Sequence, residues 1–78
     1  MLPNKMNLFI ADIVSEITGE QTFWYVVGRT YESALRGFIK EANRSMERYL
    51  FYFYGASNEE VEDFVNENGN VKAGIYEC

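Results

Sequence analysis

The stretch Leu8-Phe9-Ile10-Ala11-Asp12-Ile13-Val14-Ser15-Glu16-Ile17 fits two periodicities, and the choice between them sets the architecture. As a strand it places Phe9, Ala11, Ile13 and Ile17 on one face. As a helix capped by Asn4 and ended by Gly19 it gathers Met6, Phe9, Ile10, Ile13, Val14 and Ile17 on one side, the tighter pattern match. The strand is favoured, because β-branched Ile10, Ile13, Val14 and Ile17 lose rotamer freedom in a helix. Thr18-Gly19-Glu20 then stands where a hairpin turn belongs, and Phe23 to Val27 becomes the partner strand.

The rest of the chain is more legible. Thr30 is placed to cap a helix, with Glu32 near its positive end. Leu35, Phe38, Ile39, Ala42 and Met46 recur at spacings of three and four, a buried stripe on a helix running to about Arg48. Tyr49 to Tyr54 is almost wholly aromatic and reads as a strand, with Phe51 and Phe53 on one face and Leu50, Tyr52 and Tyr54 on the other. Gly55 ends it. Ser57 and Glu60 form a capping box before a short helix with an apolar stripe of Val61, Phe64 and Val65, which stops at Gly69. Val71, Ala73 and Ile75 alternate with Lys72, Gly74 and Tyr76 in a last strand. The expectation is one α+β domain over residues 1–78. Its element order is ββαβαβ, with two helices packed on one face of a four-stranded, mainly antiparallel sheet.

Composition removes several function classes. There is no histidine and one cysteine, so Ser-His-Asp and Cys-His nucleophiles and the usual zinc ligand sets are absent. The glycines are scattered singly, without a phosphate-binding loop. No catalytic residue, cofactor or metal site is assigned. Cys78, the last residue, has no second cysteine to pair with inside the chain, which suits a reducing cytoplasm. Asp12 interrupts the early apolar run, which suits neither a signal peptide nor a membrane span.

The formal net charge is −5, and its distribution is uneven. Residues 1–49 carry six acids and six bases, whereas residues 50–78 carry six acids and one base. Glu59, Glu60, Glu62, Asp63 and Glu67 crowd the second helix, where they can form a solvated face or steer a basic partner. Trp24, Tyr52 and Tyr54 are candidate contacts wherever they lie on an uncovered sheet face, because aromatic residues are enriched at interfaces. Arg36, Lys40, Arg44 and Arg48 form a ladder at intervals of four on the first helix, an alternative basic surface balanced by Glu32, Glu41 and Glu47. A chain this acidic is a poor non-specific nucleic-acid binder.

In size, acidity and lack of catalytic motif the chain resembles small phage-encoded host-takeover and anti-CRISPR proteins, a likeness of class carried by no motif. That resemblance implies a non-enzymatic inhibitor or adaptor acting by steric block or nucleic-acid mimicry. Its partner would be a larger protein or nucleoprotein complex with a basic surface. A homodimer is also compatible. The alternatives are a nucleic-acid-binding module using the basic ladder with stacking aromatics, and a carboxylate-only hydrolase, for which 78 residues scarcely enclose a cleft.

Overall fold

In the computed structural model, which describes residues 1–77, the order is β1 (Asn7–Ser15), β2 (Gln21–Gly28), α1 (Tyr31–Ser45), β3 (Tyr49–Gly55), α2 (Asn58–Asn68) and β4 (Gly74–Glu77). Cys78 lies outside the described residues. The four strands form one antiparallel sheet in the order β3-β1-β2-β4, an α+β fold.

The decisive stretch is a strand, and it runs through the middle of the sheet. Phe9, Ala11 and Ile13 point to one face and pack with Trp24, Val26 and Phe53. Leu8 points to the other and packs with Val27. Because β1 is buried on both faces, its apolar residues run nearly unbroken and imitate a helical stripe. Ile17 does not continue the buried face. It sits beyond the strand, 60 % exposed, in a turn where the Ser15 hydroxyl accepts from the N–H groups of Ile17 and Thr18 and Gly19 adopts φ 78°.

The helices occupy opposite faces, which corrects the one-face expectation. α1 lays Ala34, Phe38 and Ala42 on the Phe9–Ala11–Ile13 face. Phe38 is fully buried and meets Trp24, Tyr49, Phe51 and Phe53. α2 instead packs Phe64 against Tyr25 and Tyr76 on the reverse face, with Leu8, Val27 and Val71 beneath it. The physical reason is the unbroken apolar run of β1, whose second face also needs cover. Gly28 allows α1 its close approach, since a Cβ there would lie 3.3 Å from that of Ala34.

Both helix starts form as the sequence indicates. The Thr30 hydroxyl accepts from the Ser33 N–H at 3.1 Å. At α2 the Ser57 hydroxyl accepts from the Glu60 N–H while the Glu60 carboxylate accepts from the Ser57 N–H. Ser57→Ala is therefore expected to cost about 1 kcal/mol, read as a lower urea midpoint with unchanged slope. Two boundaries differ from the sequence reading. α1 stops at Ser45, leaving Arg48 in the following turn with φ 37°. The last strand begins at Gly74, so Val71 packs from a loop into the α2 cluster.

Candidate functional site

α2 has 11 residues and so spans about 16 Å, too short to cover its face of the sheet. It covers the end holding Leu8, Val27, Tyr25 and Tyr76 and leaves the other end open. The strand register orders that open end. Ile10 lies between Tyr25 and Tyr54, Asp12 between Phe23 and Tyr52, and Val14 between Gln21 and Leu50. Tyr52 is 78 % exposed, Leu50 61 %, and Phe23 and Tyr54 39 % each. These four side chains surround Asp12, whose carboxylate accepts from the Gln21 amide at 2.8 Å. The surface thus offers aromatic and aliphatic contact around one held acceptor.

The acidic helix adjoins this patch. The Tyr54 phenol is held above its usual range, first by burial and then by the negative charges of Glu60 and Asp12. Tyr54 therefore lies within electrostatic reach of both the helix and the sheet carboxylate. The five acids of α2 do not act as one group, however. Glu60 is committed to the capping box. Glu60, Asp63 and Glu67 line a depression with Tyr25, Phe64, Tyr76 and Glu77, while Glu62 borders a groove against the N-terminal residues Met1 to Met6. Glu59 is exposed and lines neither.

Trp24, expected as a contact residue, is a core residue instead. It is 4 % exposed and packs edge-on against Phe38, because its register partner Ala11 faces α1. Tyr52 and Tyr54 do lie on the open surface. Phe23, Leu50 and Asp12 join them and were missed. Strand alternation from Trp24 would have placed Phe23 opposite it had the covered face been known.

The basic ladder is incomplete. Arg36, Lys40 and Arg44 are exposed on α1, across the sheet from the aromatic patch, and Arg48 is outside the helix. Arg44 pairs with Glu41 at 3.4 Å, the one ion pair among the described residues, so of the three balancing acids Glu32 and Glu47 pair with no base of the ladder. No cluster of three or more potential metal ligands occurs among the described residues, and no helix there is long and apolar enough to cross a membrane. Compared with known proteins, the chain matches no family model, no curated protein and no solved structure.

Proposed function

We propose that the chain is a non-enzymatic protein-binding module, an inhibitor or adaptor that docks a larger partner through the open end of the sheet. The observation that carries this is the exposed group Phe23, Leu50, Tyr52 and Tyr54 around Asp12, bordered by the acidic helix. Apolar side chains gathered on one face mark interaction sites more often than scattered ones do. The carboxylates beside them favour a partner with a basic surface, such as a nucleic-acid-binding protein or nucleoprotein complex, which the chain would block sterically or by presenting charge in place of phosphates. This is the mode of the phage-encoded host-takeover and anti-CRISPR class, and a cytoplasmic setting fits it.

The charged and aromatic parts have separable roles. Reversing Glu59, Glu62, Asp63 and Glu67 together, with Glu60 kept for its cap, is expected to leave the fold intact. Association with a partner captured on the immobilised chain should slow, and its salt dependence weaken, because surface charge acts mainly on encounter. Surface plasmon resonance across a salt series checks this. An unchanged association rate would remove the acidic helix from the interface, and loss of binding on replacing Arg36, Lys40 and Arg44 would move the site to α1.

A further inference from the structure

β3 is an edge strand, and the groups it turns outward can be named. The Glu16 N–H donates to the Arg48 carbonyl and the Ala56 N–H to the Leu8 carbonyl, so the even-numbered residues of β3 carry the bonds to β1. The alternation of an antiparallel ladder turns the N–H and C=O groups of Tyr49, Phe51, Phe53 and Gly55 away from the sheet. The Tyr31 hydroxyl, donating to the Phe53 carbonyl at 3.0 Å, closes one end of this row. Among the described residues, nothing takes up the outward donors and acceptors of Tyr49 and Phe51.

β3 itself lacks two common protections of an edge, proline and charge. β3 has seven residues, Tyr49-Leu50-Phe51-Tyr52-Phe53-Tyr54-Gly55, with no proline and no charge. The opposite edge, β4, is blunted by its length of four residues.

We propose that two copies of this chain pair through β3, antiparallel about a two-fold axis at Leu50, joining their sheets into one. In that register Tyr49 of each copy exchanges both backbone bonds with Phe51 of the other, using only the groups that Tyr31 leaves open. Charge supports the second copy as occupant. Each Arg48 arrives beside Tyr52 of the other copy, whose neighbour across the sheet is Asp12. α2 packs Phe64 over the β2–β4 side, and Glu60 lies near Tyr54, toward the end of β3 away from the axis at Leu50, so the like charges of the two acidic helices stay apart. The two open surfaces become continuous across the junction. A junction of two short edges belongs with interfaces smaller than the roughly 1,600 Å² standard size, among which weak and transient association is common, so the test has to reach high concentration.

Sedimentation velocity on the purified chain from ~5 to ~500 µM tests this without any other protein, so it stands or falls separately from the partner-binding reading. The expected result is a concentration-dependent shift from the 9.1 kDa monomer to a species of twice that mass. Leu50→Lys sets two like charges directly opposite each other at the axis, on a side chain already exposed, and is expected to hold the chain monomeric throughout the range. A synthetic chain N-methylated at the Phe51 amide keeps every side chain and loses one outward donor, and it should be monomeric too. Circular dichroism confirms the fold of each. A wild-type chain that stays monomeric to the top of the range overturns the proposal. So does a dimer that a folded Leu50→Lys or N-methyl variant still forms.

Discussion

Phe38→Ala is expected to remove a large share of the stability of the fold. The side chain is fully buried at the centre of the larger cluster, and it touches Trp24 from β2, Tyr49, Phe51 and Phe53 from β3, and the sheet below. Alanine removes the transfer free energy of a phenyl ring and leaves a cavity that four aromatic neighbours, held in place on β2 and β3, can close only in part. The cost is about 4 kcal/mol. A domain of this length has a total of about 4–12 kcal/mol. The variant should therefore be largely unfolded at 37 °C, or retain a urea midpoint far below that of the parent. A loss of about 1 kcal/mol would mean that α1 does not sit on the face described.

Tyr52→Ala is expected to act on binding and hardly at all on the fold. At 78 % exposure the ring contributes little to the core, and the change in stability should stay within about 0.5 kcal/mol. At an interface the same ring, flanked by Leu50 and Tyr54 and next to Asp12, would be desolvated by the partner. Buried interface aromatics of this kind carry about 2 kcal/mol or more each, a loss of roughly 30-fold in affinity. The loss should appear as faster dissociation with the association rate nearly kept, the opposite signature to that of reversing the α2 acids. Phe23→Ala should follow it, since the two rings flank the same carboxylate from neighbouring strands.

Which parts of this structure the sequence discloses depends on how far each signal is local. The capping box at Ser57 and Glu60, the Thr30 cap, the turn at Gly19 and the alternation of β3 involve residues within a few positions of one another, and all stand as expected. The side of the sheet taken by α2 is not local. It depends on the crossing of the chain from one edge strand to the other, and the clue was the very feature that made residues 8–17 ambiguous. A strand apolar on both faces has to be covered on both, so Leu8 and Ile10 already call for a second layer. Missing that misplaced Trp24, whose role follows only once Ala11 is known to face α1, and it hid Phe23. The five acids were visible as a group, yet sequence spacing alone could not show that the cap uses Glu60 or that Glu62 turns toward the N-terminal segment.

The central claim is that the chain engages its partner with the open end of the sheet. The most direct measurement is the amide and aromatic NMR spectrum of labelled chain titrated with a captured partner. The account predicts the largest changes at Asp12, Phe23, Leu50, Tyr52 and Tyr54, extending to the acidic face of α2, with the Trp24 and Phe38 rings little affected. Changes confined to Arg36, Lys40 and Arg44 on the outer face of α1, with Tyr52 undisturbed at saturation, would contradict it.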